Sequence, residues 1–495
     1  MYTIGYDVGS SFVKAAIFDF ERGNLVAAAS YPDREMAILS PVRGWAEQDP
    51  EVWWDAVKNV TKLAASRACV SLQEIRAIGI SYQMHGLVLV GRNGLPLRPS
   101  IIWCDSRATE IGRKAFSEIG EKACLDELLN SPGNFTASKL RWVKENEPAI
   151  YDKAFKALLP GDYIALRLTG EFKTTVSGLS EGILWNFRSR TLAEKVLSHY
   201  ELRRDLIADT VPSMGLQGHL TQLAAQELGL KPGIPISYRA GDQPNNAFSL
   251  NVLEPGEIAA TAGTSGVVYA VSGSLNCDSQ SRINAFAHVN HKNDAPHIGI
   301  LLCINGAGIS NSWIRKLVGD AALTYDAMNQ LASAVPVGTR GLAVLPFGNG
   351  AERMFRDRDI SASVYRLNFN VHSKPEILRA VQEGVAFAFK YGLDIMQSLD
   401  IKPQVMRAGA ANMFLSPVFC ATLASVAGVS IELYNTDGAQ GAARAAAVGA
   451  GLVSSLNDAF KGLERIRTIE PERNKDDYLE AYQAWLEPLK RILGD

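Results

Sequence analysis

Two short β-hairpin patterns, one near the start of each half of the 495-residue chain, constrain the fold more than any other feature. Each consists of an apolar strand pattern, a tip of Gly, Ser or Thr, and a returning strand pattern. The first covers residues 2–19 and the second covers residues 257–271. Such tips leave backbone N–H groups free to point at an anion. The repetition predicts two duplicated α/β halves that face each other across a cleft, each giving one tip to a shared polyphosphate.

Each tip taken alone has a simpler interpretation, because Gly-Ser-Ser and Gly-Thr-Ser are also ordinary hairpin turns. Neither tip is a P-loop, since that motif ends in Gly-Lys-Ser or Gly-Lys-Thr and the chain contains no Gly-Lys dipeptide. The phosphate-binding hypothesis therefore depends on the two hairpins being used together.

Asp242 lies near the midpoint of the chain, after a buried strand pattern at residues 234–238. Gly241 breaks the strand, and residues 246–250 are typical of the opening of a helix. Asp242 is therefore predicted at a strand-to-helix turn, near free N–H groups that favour an ionised carboxylate. An ionised Asp in a cleft can take a proton from an alcohol. The alternative, and the commonest role of Asp at such a position, is a helix N-cap.

Two further strand patterns, at residues 77–81 and 101–103, end in clusters of hydrogen-bonding side chains. The first cluster covers residues 83–86 and the second covers residues 104–107. Open α/β sheets present their ligand groups at strand ends. A single His or Asp there is more often structural, but two clusters at neighbouring strand ends predict a pocket for a polyol.

The second half contains two more glycine-rich segments. Residues 305–310 resemble a dinucleotide-binding GxGxxG but lack its last glycine, so the pattern does not favour a dinucleotide site, while a helix N-terminus open to a phosphate remains. Residues 409–412 are small enough to let a flat ring such as adenine approach the backbone. The alternative for that segment is close packing of a helix on a sheet.

Composition excludes several classes of function. The formal net charge of −2 gives no electrostatic footprint for nucleic acid or a membrane surface. The 6 cysteines form no CxxC pair, so neither a disulfide framework nor a zinc site is indicated. No signal-peptide pattern is present at the N-terminus. A cytoplasmic location is therefore expected.

Together these segments resemble the FGGY family of carbohydrate kinases over nearly the full length. The segments that carry the resemblance follow the family's order and cover residues 7–14, 83–86, 103–107, 241–243, 263–266 and 409–412. The resemblance implies an α/β fold of two duplicated ribonuclease H-like or actin-like domains that flank a cleft. Residues 1–249 would carry the sugar site and the catalytic Asp, and residues 250–495 would bind the nucleotide.

The activity that the resemblance implies is MgATP-dependent phosphorylation of a ketopentose. The adjacent Met84 and His85 point to D-xylulose, and L-ribulose, another ketose or a polyol are the alternatives. The expected partners are a small sugar and MgATP, with a homodimer as one option for assembly. Two other classes stay open: an actin- or chaperone-like ATPase, which needs no sugar pocket, and a catalytically idle sugar sensor, which needs no Asp242.

The resemblance also assigns roles to residues. Asp242 would act as the general base, and Asp7 would hold Mg²⁺ through water, since this ion sheds its hydration shell reluctantly. The sugar-binding residues would be Gln83, Met84, His85, Trp103, Asp105 and Gln243. The nucleotide-binding residues would be Ser10, Ser11, Lys14, Gly263, Thr264, Gly308, Ser312, Gly409, Ala410 and Asn412.

Some positions depart from the family pattern. Arg239 lies shortly before Asp242 where small residues are expected, which places a cation near the base. Residues 178–182 lack the segment that is typical of the family's xylulose-specific members. Asn134 stands where Gly or an aromatic residue is usual. These departures bear on the identity of the sugar more than on the reaction.

Overall fold

The computed structural model describes residues 1–319 and 323–494. The strands of the N-terminal half are β1 (Tyr2–Val8), β2 (Val13–Asp19), β3 (Asn24–Tyr31), β4 (Glu47–Gln48), β5 (Ile75–Tyr82), β6 (Val88–Val90), β7 (Ser100–Ile101), β8 (Lys156–Leu158), β9 (Lys173–Thr175), β10 (Trp185–Asn186), β11 (Thr191–Leu192), β12 (Asp209–Val211), β13 (Met214–His219) and β14 (Pro235–Gly241). Its helices are α1 (Pro50–Ala68), α2 (Thr109–Ile119), α3 (Glu121–Leu128), α4 (Thr136–Asn146), α5 (Pro148–Lys153), α6 (Pro160–Thr169), α7 (Val176–Glu181), α8 (Glu194–His199), α9 (Gln222–Leu228) and α10 (Asp242–Ser249).

The C-terminal half continues the same kind of alternation. Its strands are β15 (Glu257–Ala262), β16 (Gly266–Ser272), β17 (Asn284–Ala287), β18 (Ile298–Ile304), β19 (Ala343–Leu345), β20 (Ser363–Tyr365), β21 (Val405–Gly409), β22 (Ile431–Tyr434) and β23 (Arg465–Ile469). Its helices are α11 (Gly308–Val318), α12 (Tyr325–Ser333), α13 (Lys374–Gln397), α14 (Pro417–Ala427), α15 (Gly438–Gly449) and α16 (Lys475–Leu493). Among the helices of the described ranges, none is long and apolar enough to cross a membrane.

Two large sheets have matching topology. The first has the order β13-β14-β5-β1-β2-β3, and the second has the order β17-β18-β16-β15-β21-β22-β23. In the first sheet β1 pairs antiparallel with β2 and parallel with β5, which in turn lies parallel to β14. In the second, β15 pairs antiparallel with β16 and parallel with β21, which lies parallel to β22. The prediction of two duplicated α/β halves is confirmed.

Both predicted hairpins form with nearly the predicted bounds. The first joins β1 to β2 in a register that sets Asp7 opposite Lys14. The second joins β15 to β16 in a register that sets Ala262 opposite Gly266. The strand residues are almost all buried, because each hairpin lies inside its sheet rather than at the edge.

The helix α15 belongs to the C-terminal half but packs on the N-terminal sheet, against β1, β2, β5 and β14. This packing explains two glycines inside buried strands, where glycine costs stability. A Cβ added to Gly5 would lie 2.1 Å from the carbonyl oxygen of Ala439, and one on Gly79 would lie 2.1 Å from that of Ala442. The equivalent helix of the first half, α10, contacts α15 and also β15 and β16. The two halves are thus joined through a reciprocal pair of helices.

A second contact between the halves involves β17. The side chain of Asn130 accepts a hydrogen bond from the Ala285 N–H at 3.0 Å and donates one to the Ala285 carbonyl, as a neighbouring strand would. The Ala287 N–H donates to Ser180 Oγ at 3.0 Å. Because both contacts use backbone groups of β17, they fix this strand beside α7 of the N-terminal half.

Candidate active site

Three strands of the N-terminal sheet bring the main candidate residues to one edge. β1, β5 and β14 are parallel neighbours, with Asp7 opposite Ser81 and Tyr82 opposite Gly241. Their carboxyl ends therefore lie side by side, which is where open α/β sheets bind ligands. Ser81 Oγ donates a hydrogen bond to Asp7 Oδ1 at 2.8 Å. The sequence did not single out Ser81, although a polar residue at the end of a buried strand was a usable signal.

Asp242 is the first residue of α10, and Gly241 occupies the N-cap position. The helix therefore begins at Asp242 and not at residue 246 as predicted, because β14 runs directly into it. No side-chain capping hydrogen bond is formed at this helix start. Burial, followed by the charge of Asp7, raises the pKa of Asp242 to about 7, although hydrogen bonds from Gln243 oppose the shift. The expectation of a freely ionised carboxylate is thus corrected: burial outweighs the helix N-terminus.

Asp7 is half-buried beside the start of α15. A Cβ added to Gly438 would lie 2.6 Å from Asp7 Oδ2, so only glycine fits there. Burial raises the pKa of Asp7; the Ser81 hydrogen bond and the Lys14 charge oppose this, and the charge of Asp437 adds to it. Two mutually repelling carboxylates, Asp7 and Asp242, make a place that favours a cation. No group of three or more His, Cys, Asp or Glu side chains that could hold a metal ion occurs in residues 1–319 and 323–494.

The turn after β5 presents polar atoms that have no protein partner. Both amide atoms of Gln83 are buried without a hydrogen bond to any described residue, and so is Gln243 Oε1. Native proteins pair nearly all buried polar atoms, so these unpaired atoms at a strand end leave hydrogen-bonding capacity for a ligand. Met84 is buried in the same turn.

His85 offers a hydrogen-bond acceptor to that ligand. Its Nδ1 lies 3.1 Å from the Glu181 carbonyl oxygen, which can only accept, so Nδ1 carries the proton. Burial, together with the charge of Lys139, lowers the pKa of His85 to about 3, so the ring is neutral. Nε2 is therefore the acceptor. A neutral His of this tautomer is suited to receive a hydrogen bond from a sugar hydroxyl.

Trp103 and Asp105, both predicted to line the sugar, differ in exposure and in their hydrogen-bond partners. Trp103 is exposed, and its Nε1 donates to Ser10 Oγ at 3.3 Å, which joins this loop to the first hairpin tip. Asp105 is buried with its oxygens bound by Arg107, at 2.7 Å from Nη2 to Oδ2, and by the Ala46 N–H. The Asp105 carboxylate thus fixes the loop through these bonds, and its contact with a sugar stays a prediction.

The start of α4 holds the two sugar-side loops together, a role that the sequence did not predict. Lys139 Nζ donates to the carbonyl oxygen of His85 at 2.7 Å and to that of Ile102 at 3.0 Å. Thr136 Oγ1 donates to the Gly86 carbonyl at 3.2 Å, and Asn134 donates to the backbone of the second loop. Burial lowers the pKa of Lys139 to about 7, against the opposing charge of Asp105.

The first hairpin tip is closed by a hydrogen bond from Gly9 N–H to the Phe12 carbonyl at 3.0 Å. The N–H groups of Ser10 and Ser11 have no acceptor among the described residues. Lys14 is exposed on the neighbouring strand, opposite Asp7. The tip thus has the free amides and the nearby cation that were predicted for a phosphate site.

The second tip packs on the start of α11. The carbonyl oxygens of Gly263 and Thr264 accept hydrogen bonds from the N–H groups of Gly308 at 2.9 Å and Ile309 at 3.0 Å. The Gly308 amide is therefore bonded within the protein, and a nucleotide contact at Gly308 stays a prediction. This glycine is required for packing, since a Cβ there would lie 2.1 Å from the Gly263 carbonyl oxygen. Thr264 remains exposed at the tip.

The predicted adenosine segment follows β21 and reaches the second tip. Asn412 Nδ2 lies 3.6 Å from the position that a Cβ on Gly263 would occupy. The Ala410 N–H donates to the Tyr434 carbonyl at 2.9 Å, and Gly409 faces the Thr436 carbonyl, 3.8 Å from its Cβ position. Ser312 is half-buried in the second turn of α11, and its role stays a prediction.

The loop between β22 and α15 connects the two groups of candidate residues. Thr436 lies beside Gly409 in the C-terminal half, and Gly438 lies beside Asp7 in the N-terminal half. Asn245 on α10 donates to the Gly438 carbonyl at 2.9 Å. The carboxylates of Asp7 and Asp242 therefore lie where the two halves meet.

A two-half α/β fold with a hairpin tip in each half and acidic groups between them defines a class of phosphate-transferring enzymes. Residues 2–249 match the N-terminal domain and residues 258–450 match the C-terminal domain of the FGGY family of carbohydrate kinases. The chain belongs to this family, whose members are phosphotransferases that act on sugar hydroxyls.

Within this family, the chain is similar to proteins named as xylulose kinases. The chain is 31% identical to the xylulose kinase of Escherichia coli (strain K12), with 99% of this chain and 98% of the relative covered. It is 30% identical to the xylulose kinase of Klebsiella pneumoniae, with 97% and 96% covered. The crystal structure of xylulose kinase from Rhodospirillum rubrum is similar with a TM-score of 0.90 at 26% identity, over 100% of this chain and 99% of that one.

Proposed function

We propose that this chain transfers the γ-phosphoryl group of MgATP to a hydroxyl of an open-chain ketopentose, converting D-xylulose to D-xylulose 5-phosphate. The relatives named as xylulose kinases support this choice of sugar. One observation carries the proposal: Asp242 begins a helix at a strand end, beside Asp7 and beside unpartnered amide groups. A base, a cation site and a polyol-binding surface are thus assembled at one place.

The two halves have separate tasks in this proposal. Residues 1–249 hold the sugar and the base, because Gln83, His85 and Asp242 all follow strands of the first sheet. Residues 250–495 hold the nucleotide between the second hairpin tip and the segment around Asn412. The free amides of Ser10 and Ser11 and the charge of Lys14 reach the phosphates from the first half.

Phosphoryl transfer has a loose transition state, so alignment and charge neutralisation account for most of the catalysis. Asp242 accepts the proton of the attacking hydroxyl and orients its oxygen toward the phosphorus. His85 Nε2, the Gln83 amide and Gln243 Oε1 bind the other hydroxyls and fix which one attacks. Mg²⁺, held by Asp7 through water, would neutralise phosphate charge when bound. Closure of the halves around the ligands would exclude water.

The proposal is tested by ADP release from purified protein with a panel of ketoses, aldoses and polyols beside a control without sugar. D-xylulose is expected to stimulate ADP release far more than L-ribulose, other ketoses or xylitol. Equal ADP release with and without every sugar would contradict the proposal and favour an actin-like ATPase. Strong stimulation by a different sugar would keep the reaction and replace the substrate.

The pH dependence follows from the raised pKa of Asp242. The base must be ionised, so kcat/KM for the sugar is expected to fall about tenfold per pH unit below about 7 and to level off above it. The measurement is kcat/KM from pH 5.5 to 9 at low fixed MgATP. The charge of Asp7 is the second cause of the raised pKa of Asp242. The residual activity of Asp7→Asn is therefore expected to begin its fall at a lower pH than the activity of wild type. A flat profile through this range would exclude Asp242 as the titrating base.

A further inference from the structure

Glu181, the last residue of α7, is a buried acid that the mechanism above does not use. It is 2% exposed, and its Oε1 has no hydrogen-bond partner among the described residues. Two other buried acids of the chain form ion pairs: Asp162 lies 3.1 Å from Arg239 Nε, and Glu383 lies 2.7 Å from Arg379 Nε. Within residues 1–319 and 323–494, Glu181 has no such ion pair.

The neighbours of Glu181 are residues of the candidate sugar site. Its carbonyl oxygen binds His85 Nδ1 at 3.1 Å and thereby sets the tautomer of that ring. Its Oε2 lies 2.7 Å, and Met84 Cγ lies 2.5 Å, from the position that a Cβ on Gly241 would occupy. The carboxyl group is therefore packed between the His85 turn and the residue that precedes Asp242. This contact also explains why position 241 is a glycine.

The chemistry of this carboxyl group suits a hydroxylated ligand. Burial raises the pKa of Glu181 well above its usual range; the Tyr82 hydroxyl opposes the shift, and the charges of Asp242 and Asp162 add to it. The raised pKa favours the neutral carboxyl form, which has one O–H donor and one carbonyl acceptor. The Tyr82 hydroxyl interacts with this carboxyl group, but Oε1 has no hydrogen bond among the described residues, and an oxygen of a sugar can supply one. Gln83, whose amide is also unpartnered, lies in the turn that Glu181 contacts.

We propose that Glu181 is a further sugar-binding residue, whose side chain hydrogen-bonds an oxygen of the open-chain ketose and so contributes to the choice of sugar. The proposal rests on the proposed kinase function. Segment 178–182 departs from the family pattern. In this proposal its role is to place the Glu181 carboxyl group, at the end of α7, beside the sugar.

The test compares three substitutions in the full-length chain. Glu181→Gln keeps one donor and one acceptor at nearly the same size, so the KM for D-xylulose is expected to stay within about fivefold of wild type. Glu181→Leu removes both and is expected to raise this KM at least about 30-fold, in line with a lost hydrogen bond to a buried polar group. The KM for MgATP and the sugar-free ADP release should be unchanged in both. Glu227→Gln is the matched control, because Glu227 is a half-buried glutamate of the same half that binds Trp54 Nε1 at 2.7 Å.

Monodeoxy analogues of the ketose separate direct contact from a structural effect. If Glu181 binds one sugar oxygen, the analogue that lacks this oxygen should bind wild type and Glu181→Leu equally, while the other analogues still distinguish them. A uniform loss over all analogues, or an unchanged KM in Glu181→Leu, overturns the proposal. If Glu181→Leu does not fold, Glu181→Asp decides, since a carboxyl shorter by one methylene should raise the KM at least about tenfold.

Failure of this inference can be distinguished from failure of the proposed function. Wild type that no sugar stimulates contradicts the kinase proposal itself. If a sugar stimulates ADP release by wild type and the Glu181→Leu variant has the same sugar preference and KM, only the role of Glu181 is contradicted.

Discussion

The substitution Asp242→Asn is expected to lower kcat by about 10²–10⁴-fold, the contribution of a positioned general base. Asn has the same shape, so the dissociation constants of sugar and MgATP should stay within about threefold of wild type. A loss in kcat without a loss in binding identifies an interaction made in the transition state. The measurements are kcat from ADP release and both dissociation constants from calorimetry.

The control separates catalysis from helix capping. Asp49 caps α1, and its side chain accepts a hydrogen bond from the Glu51 N–H. Asp49→Asn should keep kcat, since Asn is an equally good N-cap. If Asp242→Asn also kept kcat within about fivefold, Asp242 could not be the base, and its position at the start of α10 would be structural.

The same variant makes a second prediction about stability. The pKa of Asp242 is raised to about 7 in the folded protein, above about 3.9 in the unfolded chain. The unfolded state then binds fewer protons between these values, so stability falls as the pH rises from about 4 to about 7. Asp242→Asn should therefore have a higher Tm than wild type at pH 8, and the difference should vanish toward pH 4. Catalysis and stability are expected to move in opposite directions at this residue.

The parts of the fold that the sequence predicts are those with a local period. Both hairpins and the strand before Asp242 follow from the alternation of apolar residues and from the turn residues, and all are present. The start of α10 was placed too late, at residue 246, because the polar residues after Gly241 break the helical pattern of apolar residues. The structure shows that this polarity faces the site.

Contacts between residues that are far apart in the sequence could not be predicted from the sequence. Gly5 and Gly79 look unfavourable inside strands until α15, more than 350 residues away, is seen to pack on them. Asp105 stands at a strand end as a ligand-binding residue would, but Arg107 neutralises it. Whether a carboxylate is free or paired is a property of three-dimensional packing, and for this reason Glu181 and Lys139 were missed.

Lys139→Met is expected to raise the KM for the sugar by about 10–100-fold, because hydrogen bonds to a charged group contribute about 1.5–3 kcal/mol each. Lys139 Nζ donates to the carbonyl oxygens of His85 and Ile102, which belong to the two loops that line the sugar site. Without this ammonium group the loops lose their common anchor. The KM for MgATP should stay within about threefold, since the second hairpin and the segment around Asn412 are untouched.

The effect on stability should be small or even favourable, which separates this variant from one that merely unfolds. Lys139 is fully buried and forms no ion pair within residues 1–319 and 323–494, and burial lowers its pKa to about 7 from about 10.4 in the unfolded chain. Its charge therefore opposes folding below about pH 7, and this cost disappears as the pH rises to about 10. The wild type should gain stability relative to Lys139→Met over that range.

A matched lysine on the same helix supplies the control. Lys144 binds Glu201 at 3.0 Å and is partly exposed, so Lys144→Met should change neither the sugar KM nor the slope of stability between pH 7 and 10. An unchanged sugar KM in Lys139→Met would show that the two loops hold their shape without the ammonium group. A raised sugar KM with retained stability would instead show that the buried ammonium group contributes to sugar binding and does not stabilise the folded state.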